Sequence, residues 1–227
     1  MFEMNEDLPP ESTDVESGAF VELISTRLSE AYQALQEGCA ECGIELQEPT
    51  ETEWEEMRAN DKALEARMEE TELIRSARSY ARSVELLLTQ SPVWERKGKE
   101  LAQATTLGIR SVEQGLSEVD LLADCRHVLG WYQYFIEVKF RRALHGLYTD
   151  RDDALEQQSG VHGSAKIALL AVERSRVALT SLLHLVGDDD GLLDLLAQLE
   201  RIEREGRATF PGALGFVRPG FDENQNS

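Results

Sequence analysis

The residues whose types could do chemistry are few, and their spacing limits what they can do. Cys39 and Cys42 form a Cys-x-x-Cys pair, and Cys125 with His127 offers two further donors. Four such ligands could close a tetrahedral zinc site, and a lone Cys-x-x-Cys could exchange thiol for disulfide. The spacing argues against both. Cys39 and Cys42 fall near the end of a helical period, where the helix dipole raises a thiol pKa. Cys125 and His127 are two positions apart, so on a helix they face different ways. Burial is the ordinary fate of a free cysteine. The chain also contains no Glu-x-x-His, the pair a di-metal site in a helical bundle requires. No metal site and no cofactor are expected. Nowhere does spacing set a nucleophile beside a base, so no catalytic residue is assigned, and enzymatic activity is the less expected outcome.

Residues 131–145 (WYQYFIEVKFRRALH) differ in kind. At about 100° per residue, one arc of this helix carries Leu121, Cys125, Val128, Tyr132, Phe135, Ile136, Ala143 and Leu147. Lys139 falls near the middle of that arc and Arg142 at its edge. A charge in such a place is paired with an acid, extends its stem to water, or lines a polar pocket. The candidate ligand-binding set is therefore Lys139, Arg142 and Tyr132, with Glu70 from an earlier helix as the partner carboxylate. A second cationic group, Arg67, Arg75, Arg78 and Arg82, forms a stripe opposite an apolar face; it reads as a solvated face paired with nearby Glu or as a docking site for an acidic group.

The elements that must position these residues are helices. Phe20, Val21, Ile24, Leu28, Ala31, Tyr32, Leu35, Cys39 and Cys42 recur at three- and four-residue steps, with Gly43 as a stop. Residues 51–89 contain neither Gly nor Pro; unbroken, they would make a helix roughly 58 Å long, although the apolar face shifts midway and a break near Asn60 is the alternative. Ser91-Pro92 starts another helix, with Trp94, Leu101, Thr105, Gly108, Ile109, Val112 and Leu116 inward. Ser117 reads as a fresh cap for a helix running to about Leu147. A polar connection follows, then a helix from about Ser164 to Val186 with Ala168, Ala171, Ser175 and Ala178 on its inner side. Leu192, Leu195, Leu199 and Ile202 form a 3-4 seam on the last helix, which Gly206 ends. No strand alternation occurs.

These elements predict an all-α fold, an antiparallel helical bundle of about five or six helices over residues 18–206. Residues 1–17 read as a disordered acidic tail. Residues 207–227, with Phe210, Leu214, Phe216, Val217 and Phe221, are too apolar for a solvated coil and should pack on the bundle or on a partner.

Charge narrows the function. The chain of 227 residues has a formal net charge of −20. Residues 1–60 hold sixteen Asp or Glu against two Arg. Such a surface is repelled by nucleic acid and anionic membranes. No apolar run approaches a membrane span, the N-terminal residues lack the pattern of a signal peptide, and three cysteines suit a reducing compartment, so a cytoplasmic location is expected. The reading these observations favour is a protein–protein interaction or scaffolding module that meets a partner, or a second copy, through the last helix and the C-terminal tail. The alternative is a small-ligand sensor or enzyme with a polar pocket around Lys139.

Overall fold

The computed structural model describes residues 18–43, 49–149 and 154–217, the side chains of 154–159 excepted. The expectations for residues 1–17 and for Phe221 lie outside the described residues. All regular structure among the described residues is helical: α1 (Gly18–Glu41), α2 (Glu51–Glu69), α3 (Glu72–Gln90), α4 (Val93–Thr106), α5 (Val112–Tyr132), α6 (Phe135–Tyr148), α7 (Ala154–Val186) and α8 (Asp190–Thr209). The chain divides into two compact units, Met1–Arg58 and Ala59–Ser227. No described helix is long and apolar enough to cross a membrane.

The first unit contains α1 and the start of α2. α1 is amphipathic, yet none of its residues is buried. Thr50 opens α2 by exchanging hydrogen bonds with Glu53, whose carboxylate accepts from the Thr50 amide at 2.7 Å. That cap satisfies donors which the first turn leaves free.

The second unit holds the core. α7 is its axis, packing against α6, α5 and α8, while α3 lies against α8 and α6. Small side chains make this possible: Ala165, Ala168, Ala171, Ser175 and Ala178 are all buried along α7. Into the space they leave fit Tyr80, Leu129, Ile136, Phe140, Leu144 and the α8 seam Leu192, Leu195, Leu199 and Ile202. That seam, which the sequence offers to a partner, is thus occupied by helices of its own chain. The segment after α8 continues the core. Phe210 stacks on Phe140 with ring centroids 6.3 Å apart, Ala213 is buried, and the Lys166 ammonium donates to the Phe216 carbonyl at 2.6 Å.

Several boundaries differ from expectation, each for a local reason. The long 51–89 segment breaks at Glu70–Thr71 instead of Asn60, because the Thr71 hydroxyl accepts the Ile74 amide and donates to the Met68 carbonyl, capping both helices. α4 ends at Thr106, since Gly108 adopts φ +70° and turns the chain. Ser111 then builds a capping box with Gln114, so α5 begins there and Ser117 lies within it. The apolar period across this elbow does not stay on one face: Leu107, Ile109, Val112 and Leu116 are exposed. The single helix expected up to Leu147 is interrupted at Gln133–Tyr134, and α7 begins at Ala154, inside the stretch read as a polar connection. Gly206 is not a terminator. It sits inside α8 where a Cβ would come within 2.7 Å of the Phe140 ring, so its role is close approach.

Candidate functional site

The arc that places Lys139 at its centre merges two surfaces. The buried face of α5 and α6 carries Leu122, Cys125, Leu129, Ile136, Phe140 and Ala143. On a helical projection Lys139 lies about 85° from the middle of that face. Leu121, Val128 and Tyr132, counted as core in the sequence, instead wall an open cleft between α5 and α7. Lys139 is consequently half-buried beside the core, with its ammonium 5.0 Å from the centroid of the Phe135 ring. Phe135 meets Tyr132 edge to face, with centroids 5.7 Å apart at 75°. At the far end Arg174 donates to the Tyr132 hydroxyl at 2.5 Å, and its guanidinium lies 5.9 Å from that ring. The result is a row, Lys139–Phe135–Tyr132–Arg174, with a cation at each end of an aromatic pair. Each cation–π contact of this kind contributes about 0.5–1 kcal/mol at an exposed site.

The cleft beside this row has a volume of about 480 Å³. Leu121, Val128, Leu170 and Ala178 make its apolar wall, and Asp124, Glu173 and Arg174 its polar rim. Cys125 lines it too. Burial and the neighbouring Asp124 push the Cys125 thiol up from its ordinary pKa, so it stays protonated and is a poor nucleophile. Among the described residues that line the cleft, none is hydrogen-bonded to that thiol as a base. The arrangement suits the binding of apolar groups.

Of the four residues singled out in the sequence, the structure links Lys139 and Tyr132 through Phe135. It does not bring the other two to them. Arg142 is exposed on α6, and Glu70 is exposed in the two-residue break after α2. The ion pairs form instead one residue away on each side. Arg78 lies 2.6 Å from Glu69 and 3.0 Å from Glu137; Arg141 lies 3.0 Å from both Glu137 and Glu65 and also pairs with Glu69. These two arginines and three glutamates tie the end of α2 to α3 and α6. The hydrogen bonds from Arg78 and Arg141 hold the Glu69 carboxyl down at about 2. The signal for part of this was present as the i, i+4 pair Glu137–Arg141. Three of the four arginines of the stripe are likewise engaged within the chain: besides Arg78, Arg75 pairs with Glu72 at 2.9 Å, and Arg67 covers the Tyr148 ring at 3.8 Å.

The second unit also leaves apolar side chains uncovered. Ile109, Val112 and Leu116 at the α4–α5 elbow are 74%, 66% and 61% exposed. In the first unit, Val21, Leu28 and Leu35 of α1 are 62%, 66% and 55% exposed on one helical face. Among the described residues no three His, Cys, Asp or Glu side chains cluster as metal ligands would. Compared with family models, curated proteins and solved structures, the chain matches none of them.

Proposed function

We propose that this protein is a protein–protein interaction or scaffolding module. One observation carries the reading: each unit has its own exposed apolar face, on α1 in the first and at the α4–α5 elbow in the second. Exposed groups of large apolar side chains on a folded chain mark contact sites, and two of them allow two partners to be held at once. The partner surface is assigned to these faces and not to the α8 seam, which is buried within the chain. Leu214 and Val217 remain exposed on the C-terminal segment and can extend a contact. The acidic surface speaks against nucleic acid or an anionic membrane as the partner. The three free thiols fit a reducing, cytoplasmic setting.

The test is quantitative affinity purification from the source cells with the full chain. Leu28→Ser/Leu35→Ser should lose one set of co-purifying proteins and Ile109→Ser/Leu116→Ser another. Recovery of the same proteins with all three chains contradicts the proposal. A second reading, a small-ligand site, is supported by the α5–α7 cleft with Tyr132 and Arg174 at its end. It requires a bound small molecule in the native mass spectrum that disappears with Ala178→Trp, which fills the cleft.

A further inference from the structure

Resting on the interaction reading, we infer that the partner of α1 is a basic amphipathic helix, whose apolar side meets the Val21–Leu35 stripe while its cations meet the acidic surround. Val21, Ile24, Leu28 and Leu35 fall within about 60° of one another on a helical projection. All four are exposed, in a helix without one buried residue. From Val21 to Leu35 the stripe is roughly 21 Å long. That matches about four turns of a partner helix whose anchors at i, i+3, i+4 and i+7 are repeated over a second pair of turns.

Charge decides the sign of the partner. Residues 1–60 carry sixteen Asp or Glu and only Arg27 and Arg58 in return. Both arginines are engaged within the unit, Arg27 with Glu30 at 3.0 Å and Arg58 with Glu51 at 3.8 Å. The excess acid has no internal counter-charge left among the described residues of this unit. On α1, Glu22, Glu30, Glu37 and Glu41 occupy the side away from the stripe, whereas Ser25 and Gln36 border it. The apolar contact is therefore free of charge, and the field around it attracts a cationic ligand and speeds its encounter. A second copy would bring the same acid to the interface. The described start of α2 repeats the pattern: Glu51, Glu53, Glu55 and Glu56 surround exposed Trp54 and Met57, an indole and an adaptable thioether.

The test uses the full chain and a synthetic Leu/Lys peptide with leucines at 3-4 spacing, followed by fluorescence anisotropy at low and high salt. The peptide should bind, more weakly as salt rises. Leu28→Ser/Leu35→Ser should weaken it about 100-fold or more, from the loss of two buried leucines, with the melting temperature of the chain unchanged. Undiminished binding to that variant overturns the inference. So does oligolysine of equal length binding as tightly, or a Leu/Glu peptide of the same pattern doing so. A monomer–dimer equilibrium abolished by the same substitutions assigns α1 to a second copy instead and also overturns it. In each of these cases the broader interaction reading stands or falls separately, on whether the co-purifying proteins respond to the α1 substitutions.

Discussion

Leu28 and Leu199 sit in seams of the same sequence signature, and truncating each to alanine should have opposite consequences. Leu199 is 0% exposed in the core that α8 shares with α3 and α7. Removing its side chain forfeits the transfer energy of the lost methyl and methylene groups and leaves a cavity, for a cost of about 2–5 kcal/mol. In a unit of this size each kcal/mol moves the melting temperature by roughly 2–4 °C, so the drop should be about 4–20 °C. Leu28 is 66% exposed on a helix with no buried residue. Alanine is an equal or better helix former, so Leu28→Ala should stay within about 0.5 kcal/mol of the unsubstituted chain. Urea titration followed by circular dichroism measures both. A loss above about 2 kcal/mol for Leu28→Ala would mean that the α1 face is already covered, and the reasoning about a partner would fail. A negligible loss for Leu199→Ala would show that the α8 seam is not part of the core.

Three further outcomes follow from the packing and the charges. Gly206→Ala places a Cβ within 2.7 Å of Phe140, a ring held by its stack on Phe210; overpacking costs about 1–3 kcal/mol against a helix-propensity gain below about 1, so thermal unfolding should come at lower temperature. The Tyr80 hydroxyl is buried beside Ser175 and, among the described residues, makes no hydrogen bond of ordinary geometry. Tyr80→Phe should therefore be neutral or stabilising, and a loss above about 1 kcal/mol would reveal a partner for the hydroxyl. Glu69 has a folded pKa of about 2, below the unfolded value of about 4.3. Its stabilising contribution is present above about pH 4.3 and is lost as the pH falls toward 2. Glu69→Gln should remove that part of the acid dependence, and an identical curve for both chains would refute the assignment.

How far the sequence reveals this molecule depends on what each pattern has to distinguish. The α8 seam and the small-residue face of α7 are legible because one apolar stripe meets one partner surface. The α1 stripe is equally legible as a pattern, yet the same spacing describes the buried Leu199 and the exposed Leu28. Burial is a property of what else the chain supplies, and periodicity alone does not carry it. The elbow at Gly108 is hidden in the sequence because Ile109, Val112 and Leu116 continue the 3-4 period past a residue at φ +70°. The sequence arc centres on Lys139 only if Tyr132 and Val128 belong to the core, whereas they wall an open cleft. On the same helix it is Arg141, two positions on, that several carboxylates hold, and its partners Glu65 and Glu69 lie more than seventy residues away in sequence.

Hydrogen exchange distinguishes an uncovered α1 face from a covered one, because it reports each helix of the full chain separately, alone and in the assembly purified from its source cells. A helix with no buried residue opens readily. In the isolated chain Gly18–Glu41 should exchange far faster than Ala165–Leu182 of α7, and in the assembly protection should rise over Val21–Leu35 while α7 stays as it was. Exchange in α1 as slow as in α7 in the isolated chain, or no gain of protection in the assembly, would show that α1 is not the partner surface.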